Sequence, residues 1–171
     1  MKYYINFIIR LLLCFIPIRI FSFLFTKITV IASYLLLIYH NPAVIGDSIL
    51  IGSHNFEFVE ACIVPYAYYF FWVLCLLTKD IIIKTRIKII IYGFALIFIM
   101  NILRIFIVIN LAVVYGDFWF NTVHLFFWKF LSGVYVALVW VIFVFLYKID
   151  SIPIYDDFKE LYKRAFKNKY Y

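Results

Sequence analysis

Three side chains in this sequence have the types needed for covalent chemistry on a carbonyl group. They are Cys62 in "EAC" at 60–62, Arg104 in "NILRI" at 101–105 and His124 in "HLFFW" at 124–128. A thiolate is a nucleophile, an imidazole gains and loses a proton near neutral pH, and a guanidinium is a fixed positive charge. Each residue also has a plainer role. A cysteine in an apolar helix is a small filler, a histidine near a helix end anchors it at an interface, and an arginine inside a helix bundle ties one helix to its neighbour. Arg104 is the strongest single signal, because an arginine within a membrane span costs roughly 2.5–3.5 kcal/mol on insertion scales.

The remaining polar residues sort around these three. Cys62 and Cys75 sit on one apolar run, about 20 Å apart along a helix axis, and a disulfide needs Cα atoms within about 7 Å. Cys14 reads as a buried thiol in the first apolar stretch, nearer the inner leaflet. Cys62 is therefore an unpaired thiol. Asn101 precedes Arg104 by three residues and shares its helical face, suited to orienting the guanidinium or donating to a substrate. Glu60, two residues before the cysteine, reads as a solvated rim carboxylate that could pair with Arg104 or His124. His40 and His54 are isolated and do not make a metal site; no cofactor is expected. Lys129 is expected to snorkel to the outer interface.

The elements that must position these groups follow from composition and charge. The chain has 171 residues, 68% hydrophobic and only 15% charged, so its solvent must be largely lipid. An aromatic share of 23% suits membrane interfaces. The net charge of +7 is gathered in two places, the 79–88 loop and the C-terminal tail with Lys148, Lys159, Lys163, Arg164, Lys167 and Lys169. Residues 28–61 and 105–128 carry no Lys or Arg. That asymmetry places the basic segments in the cytoplasm and the others outside, and it argues for membrane lipid rather than nucleic acid as the partner. Arg10 and Arg19 interrupt the first apolar stretch, so a cleaved signal peptide is not expected.

The pattern predicts an all-α membrane protein with about four transmembrane helices, an outer interfacial helix and a short extracytoplasmic β-hairpin. Residues 1–147 form a single membrane-embedded domain, and 148–171 a basic, amphipathic cytoplasmic tail. The first apolar stretch, 3–26, is broken by Pro17, and 28–40, too short to span, is expected to lie in the outer interface; a span over 18–39 after an interfacial 3–16 is the alternative. "NPAVIGDSILIGSHNFEFVE" reads as the hairpin, with "GSHN" as its turn. Spans are expected at 61–78, 89–113 and 122–147.

This topology brings the three side chains to one depth. Arg104 lies about 23 Å along a helix that enters at Ile89, while Cys62 and His124 each open a span at its outer end. With "EAC" at a helix start, "NILRI" on the next span and a downstream histidine, residues 43–147 resemble the exosortase/archaeosortase family of multispan membrane cysteine transpeptidases. The family motifs are an Ala-Cys, an Asn-x-x-Arg and a later His. One departure is plain. Many members follow the cysteine with Ser-Gly or Thr-Gly, where this chain has Ile63 and Val64, then Pro65 in a first helical turn.

The resemblance implies a plasma-membrane enzyme whose site faces outward, acting on proteins that carry a C-terminal sorting signal. Cys62 would attack the scissile carbonyl and form a thioester that a second nucleophile resolves. His124 would serve as acid and base, Arg104 as a charge beside the thiolate or the oxyanion, with Asn101 and Glu60 orienting substrate. Two alternatives stand beside it: a non-catalytic membrane protein, such as a transporter subunit or assembly factor, in which Arg104 ties helices together, and an intramembrane protease that passes the acyl group to water.

Overall fold

The computed structural model describes residues 2–127 and 132–167, so Lys129 and Lys169 lie outside the described residues. Among the described residues the protein is mostly helical, with one small antiparallel sheet. Helix α1 spans Lys2–Cys14 and α2 spans Ile18–Leu36. Pro17 sits between them with φ −61° and ψ 136°; it has no amide to continue α1, and its fixed φ starts the next helix. The break thus falls where the version with a span over 18–39 requires it. The version with one stretch over 3–26 and a separate helix at 28–40 is not observed. A 3₁₀ turn, Ile38–His40, follows and ends at Asn41 in the left-handed region, φ 50°.

The sheet has three strands, β1 Ala43–Ile45, β2 Ser48–Ile51 and β3 His54–Glu57, in the order β1-β2-β3. A single hairpin was expected, and there are two. Each turns on two residues led by a left-handed glycine, Gly46 at φ 62° and Gly52 at φ 59°, the geometry that matches strand twist. The second turn is Gly52-Ser53, so His54 and Asn55 belong to β3 rather than to the turn. Ile49 and Ile51 point inward, packing with Val30, Leu37, Phe58, Ile102, Ile105 and Ile109.

Helices α3 Glu60–Ile63, α4 Pro65–Leu77, α5 Ile83–Tyr115, α6 Asp117–Phe126, α7 Ser132–Leu146 and α8 Tyr155–Lys167 complete the chain. The expected continuous helix over 61–78 is two helices, divided at Val64, which adopts φ 52° and ψ 47°. Within the expected helix over 122–147, α6 ends at Phe126 and α7 begins at Ser132, and 128–131 lie outside the described residues. α5 is longer than its expected 89–113, at about 50 Å for 33 residues.

A core of aromatic residues joins α2, α4, α5 and α7. Phe71, fully buried, packs against Phe94, Trp140 and Phe143, and its ring lies against Gly93, where a β-carbon would collide with it. At the opposite end from the sheet, Arg10 of α1 reaches Asp157 of α8 at 2.8 Å, with both side chains almost fully buried. Arg10 also donates to the carbonyls of Leu76 and Thr78, each at 3.2 Å, and Tyr3 donates to Asp157 at 2.9 Å. The amphipathic α8 is therefore anchored to the body of the protein, while its Phe158 and Tyr162 remain exposed.

Among the described residues two helices, α2 and α5, are long and apolar enough to cross a membrane. Both keep large apolar side chains on the outside, among them Phe23 and Ile31 on α2 and Ile91 and Ile99 on α5. Exposed apolar surface on this scale marks contact with lipid or with another protein.

Candidate functional site

The site begins with Pro65. A proline has no amide hydrogen, and its ring crowds the carbonyl four residues earlier, here that of Ala61. Helix α3 accordingly closes a single turn, the Val64 amide donating to the Glu60 carbonyl at 3.0 Å, and the chain starts afresh as α4. The break strips the Ala61 and Cys62 carbonyls of their helical donors. Buried carbonyls left bare cost free energy comparable to a lost hydrogen bond.

Asn101 and Arg104, one turn apart on α5, supply the missing donors. Asn101 Nδ2 donates to the Cys62 carbonyl at 2.8 Å. Arg104 Nη2 donates to the Ala61 carbonyl at 2.8 Å and to the Cys62 carbonyl at 3.3 Å. Both residues are buried, at 4% and 5% exposure, within the predominantly apolar middle of α5. Their remaining polar atoms, Asn101 Oδ1 and Arg104 Nη1, are buried without a hydrogen-bond partner among the described residues. Arg104 thus has one arm committed to the backbone that carries Cys62 and one arm uncommitted.

A crevice of about 210 Å³ lies beside this junction, and Cys62, Arg104 and His124 all line it. Ile105, Val108 and Ile109 of α5 form its floor, and β3 forms one wall. Cys62, on the last turn before the break, is a half-buried free thiol. His124 enters from α6, which folds back along α5 after Gly116, a residue in the left-handed region at φ 84°. Arg104 is within electrostatic range of both the Cys62 thiol and the His124 imidazole. A nucleophile, a proton carrier and a fixed cation therefore share one opening, the minimum set for attack on a carbonyl.

The other sequence candidates fall elsewhere. Asn101 is absent from the walls of this crevice; it faces a small neighbouring cleft that it shares with Arg104, Met100 and Tyr135. Its bond goes to the Cys62 carbonyl rather than to the guanidinium. Glu60 is exposed and lines a lateral groove with Ala61, Ala67 and Gly133, on another side of α3. His40 meets Asn110 at 3.0 Å and pins the 3₁₀ turn to α5. His54 lies in the crevice wall. Among the described residues no group of three or more His, Cys, Asp or Glu could hold a metal ion.

Sequence reasoning missed two contributors. The main chain at 61–64 is itself part of the site, because its carbonyls fix Asn101 and Arg104 as much as they are fixed by them. Strand β3 supplies a wall. Pro65, three residues after the cysteine, was the available signal for the first; the second depends on how the sheet packs over α5. Comparison of the chain with protein-family models, with curated proteins and with solved structures finds no match.

Proposed function

We propose that the protein is a membrane-embedded cysteine transpeptidase similar to the exosortase/archaeosortase family, cleaving the C-terminal sorting signal of exported proteins and transferring the acyl group to an acceptor. The observation that carries this reading is the shared crevice of Cys62, Arg104 and His124. In the proposed reaction Cys62 gives its thiol proton to His124, and Sγ attacks the scissile carbonyl carbon. The negative charge that develops on the carbonyl oxygen is met by Arg104 Nη1, the arm left over from the backbone contacts. His124 delivers a proton to the leaving amine as the C–N bond breaks, leaving a thioester on Cys62. The acceptor then loses a proton to His124, attacks the thioester and frees the thiol.

The proposed topology has four crossings: α2, α3–α4 together, α5, and α6–α7 together. The 79–88 loop and α8 lie in the cytoplasm under this reading, and the sheet with the crevice lies at the outer surface. The charge asymmetry supports that orientation.

A second reading is favoured by one specific contact, Arg104 Nη2 on the Ala61 carbonyl. In it the arginine is a helix tie in a non-catalytic membrane protein. The two readings separate in the native host. Replacing Cys62 by Ser leaves a folded protein in either case. Under the transpeptidase reading, mass spectrometry of surface proteins then finds C-terminal sorting signals retained that wild-type cells remove. Unchanged C-termini favour the helix tie. Where processing occurs, a free acid at the new C-terminus indicates hydrolysis and an adduct indicates transfer.

A further inference from the structure

Strand β3 is one of the two edge strands of the sheet and walls the crevice that holds Cys62. The direction of its backbone groups follows from one hydrogen bond. Phe58 donates its amide to the Asp47 carbonyl at 3.0 Å, one step beyond the Ser48↔Glu57 pairing. Antiparallel ladders alternate between residues that exchange hydrogen bonds and residues that turn their amide and carbonyl groups away from the partner strand. Counting from Phe58, Phe56 and His54 bond to β2, whereas Asn55 and Glu57 direct theirs to the open edge. Of those outward groups, the Glu57 carbonyl accepts the Val59 amide at 3.1 Å. The amide and carbonyl of Asn55 and the amide of Glu57 have no backbone partner among the described residues.

Soluble sheets blunt such edges with lysine, proline, a bulge or a covering element. "HNFE" has neither lysine nor proline, and Asn55 and Glu57 are exposed. The open groups repeat about every 7 Å, the two-residue period of a strand. That edge ends at Phe58, four residues before Cys62, within the same crevice.

We propose that the β3 edge is the substrate-binding element, and that its occupant is an extended peptide added as a fourth strand. Its main chain bonds to Asn55 and Glu57 and so delivers one carbonyl to the crevice. Main-chain pairing of this kind supplies affinity with little side-chain selectivity. The identity of the occupant as peptide rests on the transpeptidase reading.

The test uses N-acetyl-oligoalanine chloromethyl ketones of one to four residues as alkylating probes for Cys62, with iodoacetamide as the reactivity control. Strand addition is expected to raise the alkylation rate at least tenfold between one and four residues, with the iodoacetamide rate as reference. N-methylation of alternate probe amides is expected to abolish the gain at edge-facing positions and to spare the intervening ones. Asn55→Pro removes one outward amide in a place where an edge strand tolerates proline. It is expected to slow the four-residue probe at least fivefold while the iodoacetamide rate stays unchanged. A rate independent of length, or N-methyl effects without alternation, overturns the proposal. Alkylation needs only a thiol and a bound peptide. A protein with the alternating signature that never forms a thioester keeps this proposal and loses acyl transfer; thioester formation without the signature does the reverse.

Discussion

Arg104 Nη2 donates to the Ala61 carbonyl at 2.8 Å, the acceptor that Pro65 leaves without a helical donor. The contact joins α5 to the break that carries Cys62, and it leaves Arg104 Nη1 without a hydrogen-bond partner among the described residues. Arg104→Ala is expected to destabilise the protein by about 1.5–3 kcal/mol, the range for hydrogen bonds to charged groups. Arg104→Lys has no planar fork to serve backbone and crevice together; it is expected to recover more of the stability than of the activity. Thermal unfolding in detergent alongside processing assays separates the two effects.

Asn101→Leu is expected to cost about 0.5–1.5 kcal/mol by uncovering the Cys62 carbonyl. Asn101→Asp is expected to cost more, because a carboxylate oxygen would face a carbonyl oxygen at the same place. The rate of Cys62 labelling by a thiol reagent reports whether the cysteine shifts when its carbonyl is released.

Val64 is β-branched and left-handed, at φ 52°, a conformation that costs a non-glycine residue about 1–2 kcal/mol. Val64→Gly relieves this strain but loosens the unfolded chain by up to about 1 kcal/mol, so a small net gain in melting temperature is expected. The position is also the one where many members of the resembled family carry glycine. A loss of stability in this variant would show that Val64 packing, not backbone strain, dominates there.

The buried Arg10–Asp157 pair is expected to behave asymmetrically. Asp157→Leu strands the arginine and is expected to cost about 3–5 kcal/mol, whereas the double change Arg10→Met with Asp157→Leu is expected to cost much less. Hydrogen exchange of α8 is the readout, since Asp157 is its buried anchor. Equal costs for the single and double variants would contradict the ion pair as the anchor.

At Gly93 an added methyl group would collide with the edge of the Phe71 ring, which is fully buried. Gly93→Ala is expected to lower stability by about 1–3 kcal/mol through overpacking. Adding Phe71→Leu to it is expected to recover part of the loss, as measured by thermal unfolding.

Much of this architecture could be read from residue order alone, for identifiable reasons. Pro17, Asn41-Pro42 and Gly116 are punctuation that falls where the elements end. Counting one helix upward from Ile89 groups Arg104 with Cys62 and His124, and the three residues line one crevice. What escaped was local competition along the backbone. "ACIVPYAYYFFW" has the composition of one continuous apolar helix, and its division at Val64 becomes affordable only because Asn101 and Arg104 cover the carbonyls that the break exposes. A donor pair forty residues away is not visible in a local pattern. The first turn of the sheet, at Gly46-Asp47, was hidden for a different reason: three-residue β1 is too short to show alternation. Glu60 reads as a solvated rim carboxylate and is exposed, and the single turn of α3 carries it to another side from Arg104.

The most direct test of acyl transfer is the intact mass of the protein purified from its native membrane after an acid quench, in wild type, in Cys62→Ser and in His124→Ala. The expected result is a peptide-sized adduct on Cys62 of the wild type that neutral hydroxylamine releases, absent from Cys62→Ser and strongly reduced in His124→Ala, which lacks the acid for the leaving amine. Continued removal of sorting signals by the Cys62→Ser protein, with no adduct in any form, would contradict the account.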